Sequence, residues 1–247
     1  AARSVPLQRV VLVSSQAAAG PATAADRPVR EDDAPHPVES YGRSKLEAEQ
    51  ATQRFASTIP ITIIRPSAVY GPRDSDFLNV FKQAGQRVAV FAAPRAQVMS
   101  IVHVRDLVGA ILLAADAPAA RDRTYFVGSQ APVSWSELYA AISLLSGTHS
   151  TGVQLPGAIL GFAGQVGNAF TLVTGRPLLI NANKVALARP KWWLCDSSRI
   201  RDELGWSDST PLQEGLRETY LWYLEAGWLR RRIRANANVV ATPEDTV

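Results

Sequence analysis

Residues 39–74 read ESYGRSKLEAEQATQRFASTIPITIIRPSAVYGPRD, and the order of patterns in this stretch decides the fold. Tyr41 to Ser57 is expected to be a helix, with Ser40 available to cap it. Ala48, Ala51 and Phe55 are spaced by three and four, so they are expected on one apolar face. Ile59 to Pro66, IPITIIRP, is expected to be a buried strand. Val69 to Asp76, VYGPRDSD, then turns the chain sharply.

Upstream, Arg9 to Ser15 reads RVVLVSS and is expected to be a second covered strand. Residues 16–37, rich in Ala, Pro and Asp, read as a loop. Strand, helix, strand makes a right-handed βαβ unit. Downstream, helices are expected over Phe77–Gly85, Asp106–Ala115 (Asp106 as cap) and Ser134–Ser146, where Ser134 and Glu137 match a capping box. Two more are expected over Ser198–Leu204, ended by Gly205, and Pro211–Ala226. Ser100–Val104 and Thr124–Ser129 read as strands, and Trp192–Asp196 as extended chain. The alternation argues an α/β fold with a parallel sheet. Yet only three good strands serve that sheet, where an open dinucleotide-binding sheet has about six, with a glycine-rich phosphate loop after the first. The glycines of GAILGFAGQVG (157–167) have no strand before them and are rejected as that loop.

The 247 residues are 47% apolar and 19% charged, enough to bury a sizeable core and unlike disorder. The net charge of +4 owes much to Arg230, Arg231, Arg232 and Arg234, so no nucleic-acid surface is expected. Cys195 is the sole cysteine, and His36, His103 and His149 lack the spacing of a helical zinc site, so no metal is expected. No secretory signal is visible, and the protein is read as cytoplasmic. Val153 to Ile180 is the least polar stretch; its five glycines argue amphipathic helices lining a pocket over a membrane span. Residues 230–247 read as a basic, then disordered tail.

Tyr41 and Lys45 are four apart and share a helical face. Free tyrosine ionises only near ~10 and is a poor base at neutral pH. A neighbouring ammonium stabilises the phenolate, and the pair can take a proton from an alcohol or return one to a ketone. YxxxK alone occurs in many helices, more often as a surface lysine over a half-buried tyrosine. Here Ser14 and Ser15 end one strand and Pro66 ends the next. Carboxyl ends of parallel strands line the ligand crevice, so the serines, the Tyr–Lys pair and the Arg65–Pro66 turn should meet at one edge.

VLVSSQAAAGP, YGRSK, ITIIRPSAVYGPRD and VHVRDL, in this order, resemble the second half of an extended short-chain dehydrogenase/reductase of the NAD-dependent epimerase/dehydratase family. The ending, CDSSRIRDELGW to PLQEGLRETYLWYLEAGWL, resembles that family too, and the likeness covers about residues 5–229. It implies the C-terminal part of a Rossmann-type parallel sheet with a smaller, mostly helical substrate-binding region. The partial Rossmann part would be residues 1–70, returning at about 101–129. Residues 71–100 and 130–229 would form the substrate-binding region. The chain is expected to begin just before the fifth strand of such a protein, lacking the diphosphate loop and leaving apolar surfaces uncovered.

The resemblance further implies that Ser15, Tyr41 and Lys45 are catalytic. Ser14, Tyr41, Lys45, Pro66, Ser67, Ala68 and Val69 would touch NAD or NADP, and Ser15, Gln16 and Tyr41 the substrate. A homodimer through helices, including the one bearing Tyr41, is implied as well. Dehydratases of the family carry an Asp–Glu pair where Gln16 and Ala17 stand, which disfavours dehydration. Nucleotide-sugar epimerases place an arginine near Met99, for which Arg95 is a nearby substitute. SSQAAAGP resembles the 3β-hydroxysteroid dehydrogenase and dihydroflavonol reductase branch. The favoured function is alcohol/ketone oxidoreduction on a small hydrophobic substrate. Nucleotide-sugar epimerisation is the alternative, followed by a non-catalytic NAD(P)-binding assembly or regulatory protein.

Overall fold

A computed structural model of the chain describes residues 7–91, 93–148, 150–154 and 182–230. In chain order its elements are β1 (Val10–Val13), α1 (Gln16–Ala19), α2 (Ser40–Gln53), β2 (Ile61–Pro66), β3 (Ala68–Tyr70), α3 (Asp76–Ala84), β4 (Val88–Phe91), β5 (Val98–Met99), β6 (Ile101–His103) and α4 (Val104–Asp116). There follow β7 (Thr124–Val127), β8 (Val133–Ser134), α5 (Trp135–Leu145), β9 (Thr151–Gln154), α6 (Ala182–Ala188), β10 (Trp192–Trp193), α7 (Ser198–Leu204) and α8 (Leu212–Glu225).

The expected parallel sheet is present with three strands in the order β1-β2-β7, Val13 lying opposite Ile64 and Pro66 opposite Val127. Side chains alternate across it, as the pleat requires. Ile64, Tyr125 and Val127 pack with Leu107, Ala110 and Ala114 of α4 and with Ile200 and Trp206. On the other face Arg65 meets Glu49 of α2, and Phe126 packs with Ala19, Val29 and Leu194. Helices therefore cover both faces. β2 is buried at every position, as its sequence predicts. β1 is not: among the described residues it pairs only with β2 and no strand lies along its other edge, and Val13 is 39% exposed. Val108 and Leu112 on α4 are exposed as well.

A second core joins Phe77 and Phe81 of α3, Phe91 of β4, Leu138 and Ile142 of α5, and Leu216 and Tyr223 of α8. Short pairings edge it: β3 with β6 and β4 with β9, both parallel, and β5 between β10 and β8. The capping box at Ser134 forms, and Gly205 ends α7 at φ 68°, in the left-handed region.

Four local expectations fail for identifiable reasons. Glu39, not Ser40, caps α2; its two carboxylate oxygens accept one each from the N–H groups of Tyr41 and Gly42, and Ser40 is already the first helical residue. The helix closes at Gln53, and its buried positions are Gly42 and Glu49 rather than the Ala48–Ala51–Phe55 stripe; Phe55 is 44% exposed. Residues 16–37 open with a helical turn, α1, instead of running as loop throughout. At α4 the cap is His103, whose Nδ1 accepts from Arg105 N–H. Asp106 is buried one residue further on, accepting from Ser209 Oγ and from Thr210 N–H and Oγ. The glycine-diluted segment 155–181 and the tail 231–247 lie outside the described residues. Among those residues no helix is long and apolar enough to cross a membrane, and no cluster of potential metal ligands forms.

Candidate active site

The site is built where β1 and β2 end. Ser14 follows β1, and its N–H donates to Ile64 O at 2.7 Å. Ser14 is buried, and its Oγ has no partner among the described residues. Ser15 caps α1, its Oγ accepting from Ala17 N–H at 3.1 Å. A hydroxyl that accepts one bond keeps its O–H free to donate. Gln16 begins α1 with its side chain buried and Nε2 unpaired.

Tyr41 reaches this edge because α2 lies against α1. A Cβ at Gly42 would stand 2.3 Å from Ala17 O, so only glycine permits the approach. Tyr41 is 52% exposed. Lys45 Nζ lies 5.7 Å from the centre of the Tyr41 ring and donates to Val13 O at 3.2 Å. The lysine thus ties the tyrosine's helix face to the end of β1, two residues before Ser15. Among the described residues no hydrogen bond joins Ser15 to Tyr41.

On the β2 side, Ser67 N–H donates to Val127 O at 2.9 Å, carrying the chain from β2 into β3. Ser67 is 6% exposed with an unpaired Oγ. A Cβ at Gly128 would lie 3.0 Å from both Ser67 Oγ and Cys195 Sγ, so the wall here is tight. Ala68 and Val69 pair with Ile101 and Val102 in β3 and β6. Cys195 is a packed side chain: burial pushes its thiol up to about 12, far from a reactive thiolate.

Four buried polar groups, Ser14 Oγ, Gln16 Nε2, Arg65 Nη1 and Ser67 Oγ, are therefore left without a partner among the described residues around the carboxyl ends of β1 and β2. Each such group costs about 1–3 kcal/mol unless a ligand or water satisfies it. The donor-rich edge beside Tyr41 and Lys45 fits the polar nicotinamide end of a dinucleotide. A cavity of about 470 Å³ lies elsewhere, lined by Tyr70, His103, Asp106, Glu137 and Asp208. Its carboxylates are already engaged, Asp208 with Ser129 Oγ and Glu137 with Ser134 Oγ, so it reads as a seam of the fold.

Glu39, Gly42 and the Glu49–Arg65 pair escaped the sequence reading as parts of the site's frame. One signal was available: an arginine inside the apolar run IPITIIRP needs a buried anionic partner. The pattern of α2 does not say which acid supplies it.

The three parallel strands, with helices on both faces, define a Rossmann-type α/β fold. Residues 1–128 match the NAD dependent epimerase/dehydratase family, and the chain belongs to that family. It is 26% identical over 224 residues to UDP-glucose 4-epimerase of Vibrio cholerae, covering 89% of this chain and 64% of that protein. It is 24% identical over 227 residues to ceramide reductase of Caulobacter vibrioides, covering 92% and 66%. The chain thus spans just under two thirds of the length of these relatives. In structure it is similar to UDP-glucuronic acid 4-epimerase from Bacillus cereus in complex with UDP-glucuronic acid and NAD, at TM-score 0.72 and 19% identity, covering 91% of this chain and 64% of that one.

Proposed function

We propose that the complete protein is an NAD(P)-dependent oxidoreductase that interconverts an alcohol and a ketone on a small, hydrophobic substrate. The observation that carries this reading is the convergence of Ser15, Tyr41 and Lys45 at one strand edge, through the α1–α2 contact and the Lys45–Val13 bond. The dinucleotide, when bound, supplies the hydride acceptor or donor. Tyr41 Oη takes the proton from the substrate alcohol or returns it to the ketone oxygen. Ser15 O–H donates to that same oxygen, and Gln16 Nε2 offers a second donor. Lys45 holds Tyr41's face and binds the ribose. Ser14 and the run Pro66, Ser67, Ala68 and Val69 flank the nicotinamide end. The core around Phe81, Leu138 and Leu216 belongs to the substrate-binding region.

Epimerisation of a nucleotide-sugar is the second reading, favoured by the likeness to the Vibrio epimerase. Two features support redox chemistry over it. Met99 is buried and uncharged. The Arg95 guanidinium lies over Phe91 at 5.5 Å and donates to Gly152 O, away from the Tyr41 edge. A desolvated diphosphate needs cationic partners. The two readings separate at 340 nm. With the complete protein, NADH or NADPH and a panel of hydrophobic ketones, net absorbance should fall in step with product. Conversion of UDP-glucose to UDP-galactose without net absorbance change would establish the epimerase instead.

A further inference from the structure

Tyr41, Lys45 and Glu49 follow at intervals of four on α2 and share one face. Burial deepens along it, from Tyr41 at 52% exposed to Glu49 at 2%. At the buried end, Arg65 Nε donates to Glu49 Oε1 at 2.9 Å and Nη2 to Oε2 at 2.7 Å. This is a two-pronged, planar contact, which fixes direction as well as distance. The guanidinium also lies 5.5 Å over the ring of Phe126. One ion pair thus joins α2, β2 and β7.

Fold stability alone does not require it. A well-packed apolar pair of similar volume is often equally stable, because desolvating two charges offsets their attraction. What the ion pair adds is a fixed geometry. Glu49 is one turn from Lys45, and Arg65 is the residue before Pro66. A shift at the pair would move the Tyr41–Lys45 face relative to the β2–β3 junction at Pro66–Val69.

We infer that Glu49 and Arg65 are positioning residues, which set the spacing between the Tyr41–Lys45 face and the β2–β3 junction at Pro66–Val69 and so the seat of the nicotinamide ring. The inference rests on the reading of those two groups given above.

The test uses the complete protein and Glu49→Asp, which keeps the charge and removes one methylene. Affinities are measured for NADH and for ADP-ribose, which lacks the nicotinamide. The variant should keep the wild-type far-UV spectrum, bind NADH about tenfold more weakly, and bind ADP-ribose as wild type does. A folded variant with unchanged NADH affinity overturns the inference. So does an equal loss for both ligands, which marks general loosening. Should Glu49→Asp not fold, Arg65→Lys is read by the same criteria; loss of folding in both makes the pair a requirement of the fold and overturns the positioning role. Wild-type protein that binds ADP-ribose but gains nothing from the nicotinamide sinks the underlying cofactor reading, a separate outcome.

Discussion

His103 shows how much one buried side chain can bind together. Its Nδ1 caps α4, its ring meets Tyr70 edge-on at 5.2 Å, and its Nε2 stands 3.9 Å from Glu218 Oε2 on α8. It is 2% exposed, and burial pushes its pKa below the usual 6.5, with Glu218 pulling the other way. The unfolded chain therefore takes up a proton that the native state resists. Stability from this residue is full above about 6.5 and is lost as pH falls through the lower folded value, with a slope of at most ~1.4 kcal/mol per pH unit. Melting curves between pH 7.5 and 5 should show a steeper acid loss in wild type than in His103→Asn, since asparagine can still cap. Parallel curves for the two proteins would remove His103 from the acid response.

At the scale of the element, α2 is the helix its sequence predicts, with Tyr41 and Lys45 on one face, but its anchors are not apolar. Periodicity located the apolar residues Ala48, Ala51 and Phe55, but Ala51 and Phe55 are exposed. The helix is held instead by a close backbone approach at Gly42 and by a buried ion pair at Glu49. Neither device has a hydrophobic signature, which is why pattern reading passed over both. Gly42→Ala puts a methyl against the Ala17 carbonyl, a backbone atom that cannot swing aside. The substitution should destabilise by roughly 1–3 kcal/mol, as overpacking does. By shifting α1 against α2 it should also cut turnover, on the order of a hundredfold. A variant with wild-type melting and rate would show that the contact is not tight.

For the whole molecule, the three strands of the main sheet and the edge where they end were legible because VVLV in β1, ITII in β2 and TYFV in β7 are short runs of β-branched, aromatic and aliphatic residues, the composition of buried strands. The exposure of Val13 was not, since a sequence run reports a strand but not what lies along its free edge. The four motifs identified the family, and residues 1–128 match it. Substrate choice stays unread in them because the proposed reacting groups Ser15, Tyr41 and Lys45 lie inside the motifs, whereas the body of a substrate would meet residues that no motif fixes.

The central claim is that Tyr41 moves the proton in NAD(P)-linked chemistry. Tyr41→Phe removes one oxygen and leaves the ring, the helix and the Lys45–Val13 bond in place. In the complete protein its kcat should fall about a hundredfold or more, the scale of general acid–base catalysis, with NADH affinity within about twofold of wild type. Turnover unchanged from wild type would contradict the account.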